Sequence, residues 1–532
     1  MNRVQILDCT LRDGGYINKF LFGESVIKSI ISKLTKASID IIECGWLKSG
    51  ADNKNCSRYG SIDAIKDFIG KKNPNLLYVA MIQFGAIENE EISAYDPDSI
   101  DGIRVTFHEH EIEEAFIFGK QLMQKGYKVF MQPVGTTTYT DEALIKLIKK
   151  VNELKPYAFY LVDTLGTMYK NDLLRMFYLI DHNLDESVVF GFHSHNNLQL
   201  SFANAQELLQ INTPRRIILD SSVYGMGRGA GNLNTELITQ YININIGLRY
   251  DNLEILEILD EYIKPLNSQY EWGYNAAYYI ASVTGCHPNY ASFLLEKQTL
   301  HVQNIHSILS TLDITKRGIF DKGYIGEMYT RYMNHYVDDQ TAVKHIKQLI
   351  GNKPVLLLAP GKSLRNHIKE INHIATTHHY YIISVNFVPR DINIDMLFVS
   401  NMKRFDTIDE FDYRIASNIK IAITSNITTI PHDNMMILNY FSYTNEEQCI
   451  SDNAGLMCFN LLKKIGVTEV LLAGFDGFSS KNEDNYFNTS MSLDVGMERA
   501  VNMNKAIAEK LQQLGTQMKI SYFTDSKYEV KK

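Results

Sequence analysis

Short apolar runs alternate with amphipathic segments through the first half of the chain. The runs fall at residues 4–7, 39–43, 76–82, 102–107, 127–132, 158–163, 188–193 and 217–221. Between them, stretches such as SVIKSIISKLTKA and DEALIKLIKKVNEL repeat apolar residues at helical spacing. Eight strand–helix units within residues 1–250 predict an α/β fold, specifically a (β/α)8 TIM barrel. A doubly wound sheet shares the alternation, because periodicity alone does not close a barrel.

The pattern changes twice. Residues 251–345 read as mostly helical and predict an extension that completes the site of the barrel. A boundary falls between Asp321 and Lys353, where IKQLIGNKP gives way to VLLLAPGKSL. From there, apolar runs at 355–358, 381–385, 396–399, 419–423 and 469–473 alternate with helical segments. They predict a Rossmann-like α/β domain over residues 350–532. APGKS is not a Walker loop, because the glycine required five residues before Gly361 is Leu356.

Composition narrows the class. The chain has 532 residues, 45% hydrophobic and 21% charged, which suits two or three globular domains. A net charge of −8 gives no reason to expect nucleic acid or an anionic membrane as partner. No run approaches the roughly 18 apolar residues of a membrane span, and the start MNRVQILDCT lacks the apolar core of a signal peptide. The six cysteines form no CxxC pair, so a cytoplasmic location is expected. Whether the chain forms a homo-oligomer is left open.

A barrel places chemistry at the carboxyl ends of its strands. Arg12 and Asp13 follow the first run, Glu43 ends the second, Gln132 the fifth and Asp163 the sixth. His193 and His195 end the seventh, two residues apart and therefore on one face of a strand. With Asp13 as an oxygen donor, they would make a divalent metal site. Each residue also has a plainer reading: hydrogen-bonded histidines, an ion-paired Arg12, a structural Glu43, and Asp163 as a cap. The glycine run Gly225 to Asn232 follows the eighth strand, and its plainer reading is a tight turn.

Three motifs in order, LDCTLRDGG, HSHNNLQLSFANA and SVYGMGRGAGNLNTE, resemble the metal-dependent pyruvate-type aldolases, lyases and synthases that include hydroxymethylglutaryl-CoA lyase. The resemblance spans about residues 1 to 310. GCHPNYASFLLEKQ brings it nearest to the 4-hydroxy-2-oxovalerate aldolases. It implies a metal, Mn²⁺ or Mg²⁺, on Asp13, His193 and His195, with Asn232 at or near it. It implies that Arg12 stabilises an enolate, and that the substrates are a keto acid and an aldehyde. Tyr16 stands where those aldolases carry a histidine base. His287, helped by Tyr290, is the candidate to move the proton instead. The alternatives are a Claisen-type acyl-CoA condensing synthase, an aldolase fused to a non-catalytic assembly module, and a barrel without activity.

In the last domain, Gly361 and Ser363 of LLAPGKSL form a glycine turn, with backbone N–H groups and Ser363 expected to face an anion. Asn386 and Asp476 follow later strands and would share the carboxyl edge of the sheet. These features resemble the nucleotide-binding half of bacterial CMP-sialic-acid-dependent sialyltransferases. They imply a nucleotide or nucleotide-sugar as ligand and a link to surface-glycan synthesis.

Overall fold

The computed structural model describes residues 3–529 except 52, 271, 298, 378, 410–418, 430–432, 448, 480–484 and 488–495. The chain divides into two compact units. One comprises Met1–Phe293 with Leu309–Lys322, the other Leu294–Ile308 with Gly323–Lys532. Residues 251–345, read from sequence as one extension, are thus shared between them.

The first unit is a closed parallel barrel. Its strands are β1 (Val4–Asp8), β2 (Ile41–Leu47), β4 (Leu77–Gln83), β5 (Gly102–Phe107), β6 (Lys128–Pro133), β7 (Ala158–Asp163), β8 (Val189–Ser194) and β9 (Ile217–Ser221). A two-residue strand, β3 (Arg58–Tyr59), lies outside against β2. β1 pairs with both β2 and β9, which closes the sheet and removes the open-sheet alternative. β2 continues past the predicted end at Glu43 to Leu47, through a register shift between Glu43 and Trp46. Gly45 makes the shift fit: its φ is 148°, and a Cβ there would lie 2.2 Å from the Ser57 carbonyl oxygen.

Strand side chains alternate between the helices and the barrel interior. Ile6, Ile42, Tyr78 and Phe190 pack with helix residues such as Ile30 and Phe177. Leu7, Ile41, Val79, Phe130, Tyr160, Val189 and Ile218 form a separate cluster inside the barrel. Gly191 leaves room for the Tyr160 ring there, which would lie 2.4 Å from an added Cβ. The same interior face carries polar residues toward the carboxyl ends: Glu43 after Ile41, Gln132 after Phe130, His193 after Val189 and Asp220 after Ile218. Arg104 pairs in register with Phe130 and shares that face. The barrel floor is therefore apolar and its roof is charged.

The second unit holds a seven-stranded sheet in the order β14-β13-β12-β11-β10-β15-β16. The strands are β10 (Val355–Leu358), β11 (Tyr381–Val385), β12 (Met396–Val399), β13 (Lys420–Thr424), β14 (Met435–Leu438), β15 (Glu469–Ala473) and β16 (Lys519–Tyr522). Every pairing is parallel. The chain builds outward from β10 to β14, then returns to β10's other side with β15, so a topological switch point lies between β10 and β15. The edge strands β14 and β16 have no counterpart among the predicted runs; KISY is exposed to half-buried, and MMIL is only alternately buried. No described helix is long and apolar enough to cross a membrane.

Candidate active site

After β1 the chain folds back over the rim, with the Arg12 and Asp13 amides donating to the Cys9 carbonyl at 3.0 and 2.8 Å. Gly15 permits this turn: a Cβ there would lie 2.3 Å from the Phe20 ring. His193 is the next-to-last residue of β8, and His195 bridges to Asn232 of the loop after β9. Asp13, His193 and His195 are all buried and present ligand atoms within 4.8 Å of one another.

Asn232 completes the group. Its Nδ2 donates to Asp13 Oδ2 at 2.9 Å and to the Met226 carbonyl at 3.2 Å. Its Oδ1 and the Nδ1 of His195 are buried and have no hydrogen-bond partner. Such orphaned acceptors are costly unless something binds them. A divalent cation fits: two imidazoles, a carboxylate and an amide oxygen form a mixed nitrogen–oxygen set. Gly227 leaves the space, since a Cβ there would sit 2.4 Å from Asn232 Nδ2 and 2.7 Å from Asp13 Oδ2.

The electrostatics agree. Burial raises the Asp13 carboxyl, but Arg12 and its other cationic neighbours outweigh that and hold it well below the usual range. Burial lowers the His195 imidazole to about 3, keeping it neutral and free to ligate. His193 Nδ1 lies 3.0 Å from Asp220 Oδ2. The carboxylate accepts, so Nδ1 carries the proton and Nε2 keeps its lone pair.

Charged side chains link Asp13 to His193 around the roof. Arg12 donates from Nη1 to Asp13 Oδ1 at 2.6 Å and from Nε to Glu43 Oε2 at 2.8 Å. Arg104 Nη1 meets the same Glu43 oxygen at 2.7 Å, and its Nη2 pairs with Asp220. Gln132, with its amide oxygen toward Arg104, accepts from Nε at 2.8 Å. Arg12 Nη2 is buried with no hydrogen-bond partner.

The remaining sequence candidates separate. Tyr16 lines the cavity together with Arg12, Trp46, Gln132, His193, His195 and His287. Glu43 does not line it; it holds Arg12 and Arg104 in place. Asp163 accepts from the Thr167 and Met168 amides at 3.0 and 3.1 Å, capping the turn after β7. His287 lines the cavity, but its Nδ1 accepts from the Asn289 amide at 3.1 Å. The neutral ring therefore carries its proton on Nε2 and has no lone pair free to act as base. Burial, reinforced by Arg228, lowers this histidine to about 3. Tyr290 does not reach the cavity. Its hydroxyl lies 2.9 and 2.8 Å from the Lys316 and Ile319 carbonyls and accepts from the Asp321 amide at 3.2 Å. It clamps the loop that carries Gly318, Ile319 and Phe320 to the cavity wall.

Arg104, Asp220 and Arg228 were not singled out from sequence. A readable signal existed for the first two. Arg104 inside GIRVTF and Asp220 inside IILDS are opposite charges within apolar strands, and a buried charge requires a partner.

In the second unit a cavity lies at the carboxyl edge beside the switch point, lined by Gly361, Asn386, Asn401, Arg404, Asp476 and Tyr486 among others. Ser363 does not line it. Asp476 accepts from the Ser363 amide at 2.8 Å and from its hydroxyl, so a carboxylate already occupies the place expected for a bound anion. Gly361 donates from its amide to the Gly474 carbonyl at 3.0 Å. A Cβ at Gly361 would meet that carbonyl oxygen at 2.2 Å. The glycine lets two loops touch. Asn386, at φ 60°, accepts from the Ser400 amide at 3.1 Å and ties β11 to β12.

Residues 109–260 match the HMGL-like family model. An oxaloacetate decarboxylase of Mycobacterium tuberculosis is 28% identical over 240 residues, covering 44% of this chain and 68% of that protein. A 4-hydroxy-2-oxovalerate aldolase of Geobacillus genomosp. 3 is 24% identical over 270 residues, 49% of this chain and 77% of the relative. Among solved structures, the HMG-CoA lyase of Brucella melitensis aligns over 50% of this chain and all of its own, at 15% identity and a TM-score of 0.42. The first unit is a TIM barrel, and in sequence it is similar to HMGL-like proteins, among them an oxaloacetate decarboxylase and 4-hydroxy-2-oxovalerate aldolases.

Proposed function

We propose that the barrel is a divalent-metal-dependent aldolase that cleaves or forms a 4-hydroxy-2-keto acid. The observation that carries this reading is the buried Asp13–His193–His195 group with the orphaned acceptors of Asn232 and His195 beside it. A bound Mn²⁺ or Mg²⁺ would supply Lewis acidity to the carbonyl of the keto acid. Asp13, His193 and His195 would hold it, with Asn232 Oδ1 at its edge.

The chain's own groups do the rest. Arg12 is fixed by Asp13 and Glu43, which leaves Nη2 to donate to the oxygen where enolate charge develops. His287 offers Nε2–H as a donor to the substrate. Tyr16 lies beside the acceptor end. Breaking the bond between C3 and C4 of the keto acid releases an aldehyde, with the 4-hydroxyl proton leaving to a base and the electron pair passing to the 2-keto oxygen. All six cysteines are free thiols, which supports a cytoplasmic setting.

The test is the divalent metal content of purified wild-type and His195→Ala protein, with deuterium exchange at the pyruvate methyl followed by NMR. The expected result is loss of bound metal and exchange together in a folded variant. Metal-free His195→Ala protein that exchanges at the wild-type rate would end the proposal.

A second reading concerns the other unit: its cavity binds a nucleotide or nucleotide-sugar, linking the keto acid to glycan synthesis. Its support is the position at the switch point, with Lys297, Arg404 and Arg499 on the wall. Lys297 belongs to this unit through Leu294–Ile308, so the full chain is the material to test. Calorimetry with CMP and UMP should give binding that Arg404→Ala weakens; no binding of either leaves an assembly module.

A further inference from the structure

Arg228 differs from the two arginines of the charged roof. Arg12 is tied to Asp13 and Glu43, and Arg104 to Glu43 and Asp220. Arg228 forms no ion pair among the described residues, and its Nε is buried without a hydrogen-bond partner. Its guanidinium carbon lies 4.2 Å from the centroid of the Tyr16 ring, and both residues line the cavity with His195 and His287. The ring holds the planar cation by its face and leaves the N–H edges to donate. A half-buried guanidinium with a free edge is costly alone and well suited to a bidentate anion.

The arginine is also rigidly presented. The Arg228 carbonyl accepts from the Gly231 amide at 3.0 Å, and the Ala230 amide donates to Asn197 Oδ1 at 2.8 Å. Asn197 in turn donates to the Leu165 carbonyl at 3.0 Å. Gly229, at φ 65°, leaves no room for a side chain beside Asn197. A cation held this firmly spends little ordering entropy when a ligand arrives. Its field is felt on both sides of the cavity, at Asp13 and His195 and again at His287.

We propose that Arg228, stacked on Tyr16, reads a second anionic group on the substrate, a carboxylate or phosphate beyond the keto-acid end. The inference rests on the reading above, in which the keto acid occupies the Asp13–His193–His195 group and Arg12. The first anion is accounted for there, and Arg228 is the cation left for another. Arg228 is thus a specificity-determining residue, and the substrate is a 2-keto acid with two anionic ends.

The test is calorimetry on the full chain loaded with Mn²⁺, using three ligands: pyruvate, 2-oxoglutarate and 2-oxo-4-phosphonobutyrate. Wild-type protein should bind at least one of the dianions roughly tenfold or more tightly than pyruvate, and the better of the two identifies carboxylate or phosphate as the preferred group. Arg228→Gln and Arg228→Ala should each reduce that preference about tenfold or more, and Arg228→Lys should reduce it less. Wild-type protein that binds pyruvate as tightly as both dianions overturns the proposal without any variant. So does a preference that survives in Arg228→Gln. If a dianion binds through Arg228 equally well with and without Mn²⁺, the aldolase reading falls and the anion site stands. If no keto acid binds, both fall.

Discussion

Arg104 and Asp220 meet inside the barrel from positions 116 residues apart, and both side chains are closed to solvent. Neither touches the candidate metal group directly as a ligand. Together they set the imidazole of His193, because Asp220 also accepts from its Nδ1.

Arg104→Met leaves Glu43 and Asp220 short of a buried partner. It should cost roughly 3–5 kcal/mol, seen as a lower denaturant midpoint for the barrel. Adding Glu43→Gln should cost less than the sum of the two single changes, with a coupling on the order of 0.5–3 kcal/mol. Strictly additive costs would mean the two side chains act independently.

Arg12→Lys keeps the charge and loses the fork that places Nη2. Turnover should fall about 10²–10³-fold, the typical loss for one oxyanion donor, with KM changing far less. Steady-state kinetics on a 4-hydroxy-2-keto acid decide it. A change in KM alone would make Arg12 a ground-state binder.

Tyr290→Phe removes the hydroxyl shared by Lys316, Ile319 and Asp321. It should destabilise the barrel by roughly 1–3 kcal/mol and raise KM as the loop loosens. The pH dependence of kcat should stay that of the wild type. A limb that disappears would return Tyr290 to a role in proton transfer.

His287→Asn should change the acid limb of stability. Burial lowers His287 to about 3 in the folded chain, against 6.5 for the unperturbed group. Between those values the unfolded chain takes up a proton that the folded chain refuses. Wild-type stability therefore falls as pH drops through that window. The variant should lose less across it, measured by thermal melts from pH 7 to pH 4. Parallel curves would show the histidine free to charge in place.

The barrel and the meeting of Asp13, His193 and His195 were legible because each leaves a short-range mark. Alternating runs gave the eight barrel strands, and the spacing of His193 and His195 put both at one strand end. Asp13 came from its place after the first strand. Proton-moving groups were not legible, because a histidine's role depends on what binds its other nitrogen. Nothing in GCHPNY reveals that the Asn289 amide takes His287 Nδ1. Nor does the sequence around Tyr290 show that its hydroxyl lies among carbonyls of a later loop. Ser363 failed for a similar reason: its carboxylate partner Asp476 lies 113 residues away. Arg228 sat in plain view within GMGRGAGN, overshadowed by the glycines around it.

The charged roof has a consequence for how this barrel tolerates change in its length. Its polar groups share the interior face with the apolar floor, one strand step of two residues apart. Deleting a single residue from β5 ahead of Arg104 would turn that guanidinium outward among the helices and bring a neighbouring valine in. The same holds for Glu43, Gln132 and Asp220 on their strands. Insertions and deletions should therefore be confined to the loops beyond the rim, and the strands should vary only by exchange of one side chain for another. New chemistry on this scaffold has to come from the loops, where Arg228 already stands.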